Sequence, residues 1–322
     1  AEVYFGSYQW PIWGNEKIKH FLANQRDLYK YTHDQSVRLL NQGLNADEIA
    51  EQLTLPDSLA SYFSNRGYYG SLSHNAKAVY QYYMGWFDAN PANLNPLPDA
   101  QSAIRYVEMM GGAENVLLKA NDAFEQGEYR WVAELVNHVV FSNPDNQQAK
   151  ALLANTYQQL AYQAESAPWR NFYLTGAQEL KQGIDKKGID LAKMEDILKN
   201  TPVSKFFESM SVRLNSNKAQ GESYNIILNF SDMDESYLLQ MQNSVLHHRS
   251  FDKNRQLVNN SIEIDATLTL THALFVKILI GKAGLKDTLF SEQLSIDGSS
   301  IDLVQFFRMF DKPDGLFNIV TP

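Results

Sequence analysis

Apolar positions recur at three- and four-residue spacing through residues 15–180 and at every second residue through much of 202–322. In 15–43, Ile18, Phe21, Leu22, Leu28 and Tyr29 keep the helical period, and Gly43 marks its stop. Asn45 with Glu48 three positions on is the signature of a capping box, ahead of buried positions at Ile49 and Leu53. Leu55-Pro56-Asp57 starts a third helix, and a helix over 99–110 ends at Gly111-Gly112. Residues 113–162 hold a weak internal repeat: G-E-Y-R-W-V-A-E-L (127–135), Pro144, A-x-x-L-L-A-x-x-Y (149–157) and L-A-Y (160–162). The spacing is that of a tetratricopeptide helix pair, too short for a solenoid, so it predicts one supersecondary unit in an all-α domain.

After a polar junction over 181–201, with Gly183, Gly188 and many Lys and Asp, the period changes. A short amphipathic helix over 203–214 precedes runs of period two. Tyr224, Ile226, Leu228 and Phe230 share one strand face, with Asn225 and Asn229 opposite; Tyr237, Leu239 and Met241 share another. Asn243-Ser244 reads as a hairpin turn. Over 261–271, Ile262, Ile264, Ala266, Leu268 and Leu270 are expected inward. A helix over 273–280, a strand over 293–296 with an Asp297-Gly298 turn, and a helix through Phe306, Phe307 and Phe310 complete the unit. The pattern predicts an α+β domain: an antiparallel sheet with one apolar face under helices. The expected organisation is therefore multidomain: 1–14 as a strand and loop cut from something larger, a helical domain at 15–180, a linker at 181–201 and the α+β domain at 202–322.

Composition narrows the function classes. The net charge of −9 with scattered Lys and Arg argues against nucleic acid as a partner. No apolar run reaches membrane-span length, and the first residues lack the pattern of a signal peptide. With no cysteine, disulfides and thiolate metal sites are excluded.

Chemistry concentrates in 65–98, which holds seven aromatic residues, Arg66 beside a glycine turn and His74 near a helix start. Ser73 reads as the N-cap, which would put His74 in a first turn whose N–H groups favour anions. Arg66, Tyr69 and His74 could together hold a sulfate, phosphate or carboxylate; equally, an aromatic-rich helix start can be plain core. Helical spacing puts Val79, Tyr83 and Trp86 on one stripe and His74, Ala78 and Tyr82 on another, so at least half of the helix is expected to be buried. His247 and His248 are neighbours on a strand and point to opposite faces, and His138 reads as a hydrogen-bonded core histidine. No H-x-H or H-E-x-x-H occurs, nor any nucleophile or phosphate-loop motif, so no metal ligand is assigned.

Several long motifs nevertheless resemble one family. W-P-x-W-G (10–14), Q-R-D-L-Y-K-Y (25–31), N-Q-G-L (41–44), the whole of 66–98, G-E-Y-R-W-V-A-E-L-V-N-H (127–138) and Y-Q-A-E-S-A-P-W-R-N-F-Y-L-T-G-A-Q-E-L (162–180) look like the alkyl sulfatases, in order and over essentially the whole chain. These are zinc-dependent, metallo-β-lactamase-type enzymes that hydrolyse dodecyl sulfate and related esters to alcohol and sulfate. The resemblance implies three parts: a metallo-β-lactamase-like domain with two zinc ions on H-x-H-x-D-H, a helical dimerisation domain, and a last domain similar to sterol carrier protein that binds the alkyl chain. This chain would supply the second and third, and the tail of the first as 1–14; alone, it would be inactive. Tyr8 and Gln9 stand where the family carries a histidine before W-P-x-W-G. By the same resemblance His74 is the catalytic candidate, hydrogen-bonding the sulfate, with Arg66, Tyr69 and Trp86 as substrate-binding candidates. A homodimer, a long-chain alkyl sulfate substrate (linear, secondary or aryl) and a periplasmic or secreted, bacterial location follow as expectations. The alternative is a non-catalytic, dimeric scaffold that binds amphiphiles or lipids without a metal site.

Overall fold

A computed structural model describes residues 1–8, 10–184, 191–251, 262–280, 282–283, 294–312 and 315–322, with the side chains of 191 and 192 left aside. The chain forms two units, Ala1–Asp185 with Asn318–Pro322, and Lys186–Phe317.

The first unit opens with a two-stranded antiparallel ribbon, β1 (Val3–Tyr4) and β2 (Ile12–Trp13). Tyr4 joins the ribbon to the first helix by packing against Phe21, ring centres 5.2 Å apart, so residues 1–14 group with the helices. That helix, α1 (Asn15–Leu40), buries Ile18, Thr32, Ser36 and Leu39. The two hydroxyls remain satisfied because Thr32 donates to the Leu28 carbonyl at 2.8 Å and Ser36 to the Thr32 carbonyl at 2.6 Å. α2 (Ala46–Gln52) begins with the expected capping box, Asn45 and Glu48 each bonding the other's backbone N–H. The one-turn α3 (Asp57–Ala60) leads into the loop before α4 (Leu72–Met84). Leu39, Ile49, Leu53, Ala76 and Tyr80 make the core joining α1, α2 and α4.

α4 departs from the expectation of a mostly buried helix. Only Ala76 and Tyr80 are buried on it, while Tyr82, Tyr83, Met84 and the nearby Trp86 are exposed. The cause is one-sided packing: α1 and α2 meet the helix, and the narrow stripe Leu72-Ala76-Tyr80, spaced by four, is the part of it that joins their core.

α5 (Asp99–Met109) ends at Gly111 and Gly112, both at positive φ. α6 (Ala113–Glu125), α7 (Tyr129–Ser142), α8 (Gln147–Gln163) and α9 (Ala167–Gln182) come next as successive helix hairpins. Their core sets Val132, Val136, Val139 and Val140 against Leu153 and the small residues Ala120, Ala149, Ala154 and Ala177, which lets the axes approach closely. His138 is not a core residue: it is half-buried, its ring 4.8 Å from that of Tyr106. The last residues return to this unit, a contact that the domain limits of 202–322 did not anticipate. Ile319 and Val320 donate their N–H groups to Glu179 at 2.8 and 3.0 Å, and Val320 packs where a side chain at Gly176 would stand.

In the second unit, a 3₁₀ turn at Leu191–Met194 precedes α10 (Glu195–Lys199) and α11 (Val203–Ser211); Gly188 and Asp190 of the expected linker lie outside the described residues. The sheet comprises β3 (Tyr224–Phe230), β4 (Glu235–Gln242), β5 (Val245–Ser250), β6 (Ala266–Leu270) and β7 (Leu294–Gly298), in the order β5-β4-β3-β6-β7. It is antiparallel except for the β3–β6 pair. Asn243 and Ser244 form the predicted hairpin turn with φ of 53° and 59°, the pair of positive values that a tight hairpin of this kind requires. α12 (His272–Leu279) and α13 (Ser300–Arg308) complete the unit. One face carries the main core, Tyr224, Ile226, Leu228 and Phe230 among it, under Phe207, Phe275 and Phe306.

Three expectations change here. The other sheet face is also apolar in part, since Ile227, Leu238 and Phe251 cluster there. Ile262 and Ile264 join that second cluster rather than the main core, because they precede β6 and do not share its alternation. Asp297 and Gly298 are the end of β7, paired with Thr267 and Ala266, not a turn; a Cβ at Gly298 would stand 2.6 Å from the Asp265 carbonyl oxygen. Ser261 and Gln293 lie outside the described residues. His247 is exposed and His248 is turned in against Phe207, at 5.7 Å.

Phe207 is fully buried among Tyr237, His248 and Phe275. Phe207→Ala is expected to destabilise the second unit by about 3–5 kcal/mol, read as a lower urea midpoint of that unit's transition. An unchanged midpoint would remove it from the core. Hydrogen bonds from Lys282 and Lys199 hold the half-buried Glu195 carboxyl down at about 2 from its ordinary 4.5. A depressed carboxyl stabilises above its unfolded value, and the benefit disappears as pH falls through the folded one. Glu195→Gln should therefore flatten the stability profile between those two values and leave its slope near neutrality unchanged, as followed by thermal melts across pH.

Candidate functional site

The loop between α3 and α4 is assembled from short-range turns and then tied to a distant helix junction. Asn65 is buried; its amide donates to the Leu59 carbonyl at 2.9 Å and its oxygen accepts from Gln25 of α1 at 2.8 Å. Arg66 reaches Glu165, at the α8–α9 junction, with Nε to Oε1 2.8 Å, and its guanidinium lies 5.3 Å from the centre of the Tyr68 ring. The pairing holds the Arg66 pKa above its ordinary value, chiefly through the Glu165 hydrogen bond. Two further bonds close the seam: the Ala167 N–H donates to the Tyr68 carbonyl at 2.7 Å, and the Ser166 hydroxyl to the Tyr69 carbonyl at 3.1 Å.

Behind this seam lies a cavity of about 1230 Å³, open to solvent, lined by Gln25, Tyr29 and His33 of α1, residues 64–73 and the start of α9 as far as Trp169 and Tyr173. The cations on its wall are already paired. Arg66 faces Glu165, Arg130 faces Glu51 at 2.9 Å, and Lys77 faces Asp47. His33 bonds Tyr83 Oη at 2.7 Å and Asp34 at 2.9 Å. An anion entering here meets polar groups and the N-terminus of α4 rather than a free cationic cluster, and a 13-residue helix presents partial positive charge at that end.

The predicted site residues separate into two groups. Arg66 and Tyr69 line the cavity. Tyr69 is largely exposed and stacks on Tyr8, ring centres 6.2 Å apart; Tyr8 is the residue at the position where a family histidine is expected, while Gln9 lies outside the described residues. His74 sits in the first turn of α4, but the N-cap is Ser71, whose hydroxyl accepts the His74 N–H at 3.5 Å, and not Ser73. His74 is exposed and is not among the residues that line the cavity; its ring lies 6.2 Å from that of Trp169, which does. Trp86 stands apart from the cavity, against Phe87. Arg66 is not the free cation that its place beside a glycine turn suggested for an anion, because Glu165 occupies its donor face.

Residues 45–183 match the alkyl sulfatase dimerisation family, and residues 191–322 match the alkyl sulfatase C-terminal family. The chain belongs to the alkyl sulfatases. It is 44% identical over its whole length to a linear primary-alkylsulfatase of Pseudomonas sp., covering 47% of that protein. It is 42% identical to an alkyl/aryl-sulfatase of Saccharomyces cerevisiae, again over its whole length and 48% of the relative. A solved stereoselective inverting sec-alkylsulfatase from Pseudomonas sp. superposes with a TM-score of 0.90 at 37% identity, covering all of this chain and 49% of the other. The chain thus spans about half the length of the curated relatives it matches.

This alkyl sulfatase chain contributes site residues that sequence reasoning missed. Glu165, Ser166 and Trp169 sit inside the motif 162–180, where Pro168 in the first turn of α9 marks a helix start, but nothing in that motif tells which loop it meets. His33 carried no signal beyond its helical period. Among the described residues, no three of His, Asp and Glu converge as a metal site; these residues do not fit the two zinc ions that the family implies, and no catalytic step is assigned to a metal held by them.

Asn65→Ala removes the donor to Leu59 and the acceptor for Gln25, and is expected to cost about 1–3 kcal/mol of the helical unit's stability, measured by urea denaturation. A change within error would show that the loop is held by the Glu165 seam alone.

Proposed function

We propose that this chain is the dimerisation and alkyl-chain-binding portion of a zinc-dependent alkyl sulfatase that hydrolyses long-chain sulfate esters such as dodecyl sulfate to alcohol and sulfate. The observation that carries the reading is the full-length match, at 44% identity, to a linear primary-alkylsulfatase. In this reading the two zinc ions are held by a metallo-β-lactamase-like part outside the described residues, and the protein works in the periplasm or outside the cell. Relatives named for primary, secondary and alkyl/aryl esters match at 44, 38 and 42% identity, which supports the sulfate ester as the common element and leaves the alkyl part to be measured.

The geometry supports a division of labour on the helical unit. His74, beside the cavity-lining Trp169, acts as a hydrogen-bond donor to the sulfate. Tyr69, exposed at the mouth, contributes a phenolic donor and an aromatic wall. Arg66 holds the loop through Glu165 and thereby positions Tyr69, rather than pairing with the sulfate itself. The second unit, sterol-carrier-like by the resemblance, would take the alkyl chain, each buried methylene contributing about 0.8 kcal/mol.

In the intact protein, His74→Ala is expected to lower the turnover of dodecyl sulfate by about 10²–10³-fold, with a much smaller change in KM, measured as released sulfate. Unchanged turnover would remove His74 from the chemistry. Uptake of dodecyl sulfate without any release of sulfate by the unmodified protein would favour the amphiphile-binding scaffold instead.

A further inference from the structure

Between α1 and α4 a line of polar side chains is joined end to end. Lys30 Nζ bonds Asp34 Oδ2 at 2.6 Å, Asp34 Oδ1 lies 2.9 Å from His33 Nδ1, and His33 Nε2 lies 2.7 Å from the Tyr83 hydroxyl of α4. The chemistry of these groups fixes where the protons sit. Hydrogen bonds from Lys30 first and His33 next hold the Asp34 carboxyl below the ordinary carboxylate range, so near neutrality it is ionised and only accepts. In the neutral imidazole Nδ1 must then carry the proton, which leaves Nε2 with a bare lone pair. The Tyr83 hydroxyl therefore donates to Nε2. Tyr83 is 50% exposed, and among the described residues no group donates to its oxygen, whose own lone pairs stay free for an incoming atom.

We propose that Tyr83 is a nucleophile activated by His33 and Asp34, a site that accepts an acyl group from carboxylic esters with a good leaving group. A nucleophile within hydrogen-bond reach of a base, with that base oriented by a third group, is the arrangement such chemistry requires. In the step, the phenol oxygen bonds the ester carbonyl carbon and the C–O bond to the leaving alcohol breaks. The phenol proton passes to Nε2 and from there to the departing oxygen, so the products are acyl-Tyr83 and the free alcohol. Asp34 is a positioning residue: it stabilises the imidazolium formed in between and keeps Nε2 turned to Tyr83. A second histidine–phenol pair on α1 supplies the contrast. His20 Nε2 lies 2.8 Å from the Tyr62 hydroxyl, yet among the described residues no carboxylate bonds the His20 ring, and nothing fixes its tautomer. Tyr8, Tyr69 and Tyr82 are 80, 76 and 83% exposed, more than Tyr83, and among the described residues none of the three bonds a histidine.

The test exposes the intact protein briefly to p-nitrophenyl acetate and locates the acetyl groups by peptide mass spectrometry, with fragment spectra separating Tyr82 from Tyr83. Tyr83 is expected to label first, about tenfold or more ahead of Tyr62, Tyr8, Tyr69 and Tyr82. His33→Gln keeps a side chain that can bond the phenol but cannot act as a base. It should slow acetylation of Tyr83 by about a hundredfold, with far-UV circular dichroism and melting temperature retained and the Tyr62 rate unchanged. Asp34→Asn, which releases the imidazole from its fixed tautomer, should slow Tyr83 in the same sense. Labelling that follows exposure, with Tyr82 and Tyr69 ahead of Tyr83, would overturn the proposal. So would a Tyr83 rate that His33→Gln leaves unchanged, since the histidine would then be only a structural tie between the two helices.

Discussion

The ion pair between Arg66 and Glu165, ninety-nine positions apart, is the contact on which the helical unit's concave surface depends. It is reinforced by the backbone bonds of Tyr68 and Tyr69 to Ala167 and Ser166. A single exposed ion pair contributes little to stability, so its importance is geometric. With two backbone-level bonds beside it, it closes a long loop whose entropic cost grows only slowly with length. Closing it sets residues 64–73 opposite α1 and creates a wall on which Tyr69 stands and beside which α4 points its N-terminus. The same pairing removes Arg66 from the free cations. An anion at this wall would meet the polar groups around it and the helix end.

Much of the architecture is legible in the sequence because local rules are obeyed. The capping box at Asn45 and Glu48, the paired glycines after α5, and the Asn243-Ser244 turn each stand where local pattern places them. Strand faces through Tyr224 to Phe230 and Tyr237 to Met241 are readable from alternation, and the two halves of the chain announce their class by a change of period. What is not legible is long-range. Alternation cannot tell that Ile262 and Ile264 leave the face that Ala266 begins, because residues before a strand edge are not bound by its pleat. The return of Ile319 and Val320 to Glu179 has no periodic signal at all.

The site is legible by half. Tyr69 and Arg66 line the cavity, and His74 occupies a helix first turn, all from a short motif with recognisable punctuation. The partner of Arg66 is hidden, because Glu165 is an ordinary carboxylate in sequence and its significance arises only when the α8–α9 junction folds back. Trp86 illustrates the opposite case. An aromatic at helical spacing from Val79 and Tyr83 points to core or substrate, yet α4 is covered on one side only. Its outward aromatics continue into the exposed, proline-containing segment 89–99.

These features describe a helical unit with a cavity wall stitched by Arg66 and Glu165. The claim at the centre is that a sulfate headgroup is received at that wall, by donors around the first turn of α4 rather than by Arg66. A crystal structure of the intact protein with a non-hydrolysable alkyl sulfonate tests it most directly. Headgroup oxygens within about 3 Å of the Tyr69 hydroxyl, the His74 ring or the first N–H groups of α4, with Arg66 still paired to Glu165, are the predicted result. A headgroup bound elsewhere, or an Arg66 that leaves Glu165 to take it, would contradict the account.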